Sequence, residues 1–259
     1  MKRHLQFLAL AAALAAPCGA AQAQALDAKV ANVSKATDSF LALAKDSHTS
    51  GKPPRQTDPT AKPLLDTVFD TKDIEGDKAL AWPDVKALED WNSAAIKVGL
   101  VYYLAGTGVA DLEALAKDPQ AVVKANRNMV EFAPEYGRYS DAQIRIHSAM
   151  ITAGLAKMAA ATPDDRKDEL LKRSLTAISD GTAQAMTGLL GSMTFEGMSD
   201  AWLLGRVVVL LDITPKAAKF MTPADRLQVK TVAAQVAEEI KNPDVKSGVN
   251  AIARAFELL

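Results

Sequence analysis

Residues 199–212, Ser-Asp-Ala-Trp-Leu-Leu-Gly-Arg-Val-Val-Val-Leu-Leu-Asp, are apolar on nearly every side when wound as a helix. At about 100° per residue, Trp202, Leu203, Leu204, Val207, Val208, Val209, Leu210 and Leu211 cover most of the circumference, and Gly205 and Asp212 share one narrow side. Ser199 and Asp200 suit the start of such a helix. A short side-chain oxygen accepts from the orphan N–H groups of the first turn, and a carboxylate complements the positive end of the dipole. Residues 207–211 could be read as a buried strand, but the capped run is longer than ordinary strands. A helix of this kind needs others around it. The expectation is an all-α, single-domain bundle of about nine to eleven helices with this one at its centre.

The remaining segments agree with that class. Leu26, Val30, Val33, Phe40, Leu41 and Leu43 predict a first helix over 25–45. Residues 46–63 hold Gly51, Pro53, Pro54, Pro59 and Pro63, which predicts a Pro-rich loop free to make a surface excursion. A short helix over 63–69 follows. Pro83 then opens a long helix to residue 105, closed by Gly106-Thr107-Gly108. Helices are expected over 109–117 and 118–132, with Pro134 as the stop. The tight connection over 133–139 would gather aromatic and charged side chains, and Ser140 and Asp141 would cap the next helix, to about residue 160. Thr162-Pro163 and Thr222-Pro223, each with an acidic residue at the third helical position, read as two copies of one capping device. The first predicts a helix over 163–190. Gly188, Gly191 and Gly197 mark a slack connection into the central helix, Thr214-Pro215 a short turn to residue 220, and Asn242-Pro243 the final helix.

The first 25 residues read as a secretory signal: Lys2, Arg3 and His4, an apolar run over 5–16, then small-residue cleavage sites near Ala23 and Ala25. The apolar run is shorter than the roughly 20 residues a membrane span needs. The mature chain over 26–259 is therefore expected to be a soluble periplasmic or secreted domain. Cys18, the only cysteine, lies in this leader behind Pro17, where a lipidation site wants a small residue. A cleaved chain would contain no disulfide and would rely on packing. Loss of Lys2 and Arg3 takes the 30 basic residues to 28 against 31 acidic ones, and no basic stripe favours nucleic acid.

Candidate chemistry is sparse. His48 and His147 have no second His or Cys nearby, which argues against structural zinc and leaves His147 as a buried or solvated imidazole. Met186, Met193 and Met198 could serve copper, but they lack dense Met or His-Met clustering and suit gap filling between helices. Glu131 and Glu135, beside Tyr136, Arg138 and Tyr139, could act as an acid and base pair of a wall hydrolase. They could equally belong to a loop in which Arg138 pairs with a carboxylate. Arg206 interrupts the central helix and needs either a core carboxylate or an anionic ligand, unless its head reaches water. Phosphate-binding, nucleophile-elbow, zinc-protease and haem-attachment motifs are absent.

These readings favour a binding protein for an envelope protein, peptide or small ligand, using Glu131, Glu135, Tyr136, Arg138, Tyr139 and Arg206, with no cofactor expected. A glutamate-dependent wall hydrolase and a periplasmic copper- or haem-handling protein are the alternatives.

Overall fold

The computed structural model describes residues 27–75 and 85–257, apart from the side chain of Arg166. The leader, the Pro83 helix start and the final two leucines lie outside the described residues. In chain order the helices are α1 (27–43), α2 (Ser47–Ser50), α3 (Lys62–Phe69), α4 (Val85–Tyr103), α5 (Leu112–Ala116) and α6 (Pro119–Glu131). They continue as α7 (Ala133–Ala160), α8 (Glu169–Ser192), α9 (Asp200–Phe220), α10 (Pro223–Glu239) and α11 (Pro243–Ala255). The architecture is all-α, eleven helices in one arrangement, with no strand among the described residues.

Most starts are set by short polar side chains, as expected from local chemistry. Asp118 accepts from Gln120 and Ala121, Ser199 from Trp202, Thr222 from Asp225, and Asn242 from Asp244 and Val245. Gly106 and Gly108 carry positive φ after α4, which ends that helix where the sequence said it would. The Thr162 device closes with Asp165, but it yields only a 3-10 turn over Asp165–Lys167. Asp168 is extended and caps α8 afresh, so the helix begins at Glu169 rather than Pro163.

Three expectations fail at prolines and glycines. Residues 133–139 are no loop; they are the first two turns of α7, with Pro134 in its opening turn. The break falls at Phe132, because a proline in a first turn has no N–H to lose and so marks a start rather than a stop. Ser140 lies inside the helix and donates to the Tyr136 carbonyl. Thr214-Pro215 likewise does not interrupt α9. The Thr214 hydroxyl donates to the Leu210 carbonyl, and Pro215 sits on the exposed side. Gly188 and Gly191 lie within α8, and only Gly197 belongs to the connection.

The apolar helix α9 packs against α7, α11 and α8. Its fourth side is open, with Leu204, Val208 and Leu211 exposed. Val208, two-thirds exposed, is the least covered of the three. α7 is the most widely connected element, packing against α4, α9 and α8 as well as α3 and α6. One continuous core runs from Val33 and Phe40 on α1 to Val249 and Ile252 on α11, and Leu104, Leu115, Ala121 and Ala125 form a small satellite.

The Pro-rich segment opens with the short helix α2 and is fastened at its start and its middle. The Gly106 and Gly108 amides donate to the Ser47 and His48 carbonyls, and the Tyr102 hydroxyl donates to the Pro54 carbonyl. Gly51 and Gly106, both left-handed, meet so closely that a Cβ on Gly106 would lie 3.0 Å from the Gly51 Cα.

Candidate functional site

As a helix, α7 distributes the side chains of its first turns to different neighbours. Glu135 is buried and accepts from Arg55 Nε at 3.0 Å, Arg55 Nη2 at 3.3 Å and the Gln56 amide at 3.0 Å. Arg55 also stacks over the Phe132 ring. Glu135 therefore holds down the Pro-rich loop. Arg138 pairs with Asp66 at 2.7 Å and lies over Phe69. The hydrogen bond from Lys62, joined by Arg138, holds the Asp66 carboxyl below its ordinary range against the opposing effect of burial. Glu131 is exposed and pairs with Lys124 at 3.1 Å. The two glutamates share no site, because one turns inward to Arg55 and the other stays in solvent.

Arg206 meets Asp141 at 2.6 Å, with side-chain exposures of 12% and 27%. The guanidinium lies over the Trp202 ring, and the Trp202 indole donates to the Ala133 carbonyl. Gly137 makes this crossing feasible: a Cβ there would lie 2.5 Å from Arg206 Nη1. The pair is incompletely satisfied, since Asp141 Oδ1 and Arg206 Nε are buried without hydrogen-bond partners. Of the outcomes open to Arg206, the core carboxylate is the one realised.

Tyr136 and Tyr139 turn a third way. With Ser140, Gln143 and His147 they recur at three- and four-residue steps, so α7 presents them as one stripe. They face a cavity of about 370 Å³. Asn92 and Ile96, one turn apart on α4, form a second wall. α8 supplies a third from Gly181, Gln184, Ala185, Gly188 and Leu189, again at helical spacing. The tyrosine rings are 5.6 Å apart and tilted by 58°, and Tyr139 lies so close to Gly99 that a Cβ there would enter its ring. Burial pushes the Tyr139 phenol up to about 12, partly offset by a hydrogen bond with Gln143, and raises Tyr136 further. Both phenols stay protonated. Gln184 and Gly188 are exposed, which places the mouth of the cavity between them.

Two of the lining residues also carry buried polar groups. Asn92 Oδ1 is buried with no hydrogen-bond partner, a state that costs about 1–3 kcal/mol. His147 is buried, and its Nδ1 lies 3.2 Å from Thr182 Oγ1. The Thr182 hydroxyl proton is committed to the Ile178 carbonyl at 2.7 Å, so the ring must donate from Nδ1 and keep Nε2 as an acceptor. Burial pushes the imidazole down to about 4. His147 is thus a neutral hydrogen-bonding group.

Comparison with protein-family models, curated proteins and solved structures returned no match. The chemistry of the cavity rests on its own geometry. Among the described residues none that lines it carries a formal charge, and His147 leans on Thr182 rather than on a carboxylate, so the described lining assembles no activated nucleophile. Among the described residues no three His, Cys, Asp or Glu side chains gather as a metal site. Met186 and Met193 are buried in the core, and Met198 packs against it.

Two buried groups give opposite pH dependence to stability. Burial outweighs Arg206 and Arg145 and pushes the Asp141 carboxyl up to about 6. Its contribution to folding is therefore full below about pH 4 and is lost as pH rises towards 6. His147 contributes fully above its unfolded value of about 6.5, and that contribution is lost as pH falls towards 4. In the intact protein the two slopes offset each other. Asp141→Asn is expected to unmask the histidine, so urea denaturation should show stability rising more steeply from pH 4 to 6.5 than in the unaltered chain. An unchanged or shallower rise would contradict this assignment.

Proposed function

We propose that this chain is a secreted, periplasmic helical binding protein that holds a small envelope ligand between α4, α7 and α8. The observation that carries the reading is a cavity of about 370 Å³ to which three helices bring the neutral hydrogen-bonding side chains of Tyr136, Tyr139, Gln143 and Gln184 beside Ile96 and Leu189. Concave sites with a few convergent polar groups on an apolar frame are the usual form of small-molecule sites. Secretion is supported by the basic, apolar and small-residue regions of residues 1–25. Among the described residues no helix is long and apolar enough to cross a membrane.

Gly188 provides the test. It lies at the mouth of the cavity, and a Cβ built there meets nothing within 4 Å. Gly188→Phe should therefore fold and close the site, because phenylalanine is a somewhat better former of helix interior than glycine, by roughly 0.5 kcal/mol or less. A small-molecule extract of the host periplasm should raise the melting temperature of the unaltered protein and leave Gly188→Phe unmoved. Equal responses from the two proteins would contradict the reading.

A further inference from the structure

We infer that a second cavity, where the ends of α1 and α4 meet α2, binds a medium-chain carboxylate, a site separate from the one proposed above. The cavity has a volume of about 290 Å³. Leu41, Ala44, Leu100, Val101 and Leu104 make most of its lining apolar. Lys45, His48 and Lys97 bring nitrogen groups to the same space, and among the described residues no Asp or Glu lines it. Both lysines are exposed, and neither has an ion-pair partner among the described residues. An arriving anion therefore displaces no carboxylate. The Gly106 and Gly108 amides, bound to the Ser47 and His48 carbonyls, hold the two helix ends in this arrangement.

The two halves of the lining select the ligand together. A bare inorganic anion would leave the apolar side chains facing water, and a neutral hydrocarbon would bring nothing to the ammonium groups. An amine would meet like charge. An apolar chain that ends in a carboxylate satisfies both halves. Volume then sets its length. At roughly 30 Å³ for each water-sized group, the cavity admits on the order of ten non-hydrogen atoms, the size of octanoate. Longer chains gain little, because past Lys97 the same two helices line a cavity that holds Asp27, Asp38 and Asp90, a poor surface for hydrocarbon.

The experiment is calorimetric titration of the mature chain at pH 7 with octanoate, butyrate, dodecanoate, octanol and octylammonium. Octanoate should bind, and butyrate on the order of a hundredfold more weakly for want of buried methylenes. Octanol should bind about tenfold more weakly than octanoate, octylammonium more weakly still, and dodecanoate no more tightly. Lys45→Glu/Lys97→Glu should weaken octanoate binding at least tenfold while keeping the helical circular dichroism, since both side chains are exposed. Lys35→Glu/Lys52→Glu makes the same change in net charge at exposed positions outside the cavity and should leave binding unchanged. Gly188→Phe should leave it unchanged too. Absence of octanoate binding would overturn the assignment, as would octanol, octylammonium or butyrate binding as tightly, or dodecanoate binding many-fold more tightly. Equal weakening by the two lysine pairs would reduce the effect to overall charge and overturn it as well. Loss of octanoate binding in Gly188→Phe would place the carboxylate between α4, α7 and α8 instead; the binding reading would then stand and this second site would fall.

Discussion

Asp141→Leu is expected to destabilise the protein by about 3–5 kcal/mol, because it leaves the Arg206 guanidinium nearly buried with no carboxylate to face. Arg206→Leu should cost less. The stranded Asp141 can take up a proton, and burial already pushes its carboxyl up to about 6, whereas a guanidinium cannot shed its charge. The double variant Asp141→Leu/Arg206→Leu should recover most of the loss. The native pair leaves Asp141 Oδ1 and Arg206 Nε unpartnered, so its attraction does not fully offset the loss of water around both groups. Chemical denaturation of the three variants at pH 7 checks this. A double variant as unstable as the sum of the singles would show that the two residues are not coupled and would contradict this account.

Trp91→Ala should cost a similar amount, about 3–5 kcal/mol, and lower the melting temperature by on the order of 10 °C. Trp91 is fully buried on α4, and its indole N–H donates to the Val68 carbonyl at the end of α3 at 2.8 Å. Lys29 of α1 lies over the same ring. Truncation opens a large void and orphans a carbonyl, so three elements lose one anchor. Trp91→Phe should fall between, keeping most of the volume but not the donor. Equal stability of the Ala and Phe variants would assign the effect to the hydrogen bond alone.

The elements legible in the sequence were those fixed by neighbouring residues. Ser199, Thr222 and Asn242 announce their helices because a cap is a contact over two or three positions. Thr162 announces one too, yet Asp168 wins a few residues later because it caps in an extended conformation. Pro134 carries the most instructive error. Read as a stop, it turns 133–139 into a loop and dissolves the stripe of Tyr136, Tyr139, Ser140, Gln143 and His147. Read as a first-turn proline, it leaves the same residues at helical spacing, and the α7 wall of the cavity becomes visible in the sequence.

The partners were not legible at all. Arg55 meets Glu135 across 80 positions and Arg206 meets Asp141 across 65, and nothing local names either match. The open side of α9 was hidden for a related reason. Leu204, Val208 and Leu211 are as apolar as the residues behind them, and only their exposure in the folded chain sets them apart.

The central claim is that the space between α4, α7 and α8 holds a small ligand. Native mass spectrometry of the protein purified from the periplasm of its own host, beside Gly188→Phe prepared identically, tests that most directly. The account predicts a discrete added mass of small-molecule size on the unaltered protein and a bare polypeptide for the variant. The same added mass on both proteins, or bare polypeptide for both even when incubated with periplasmic extract, would contradict it.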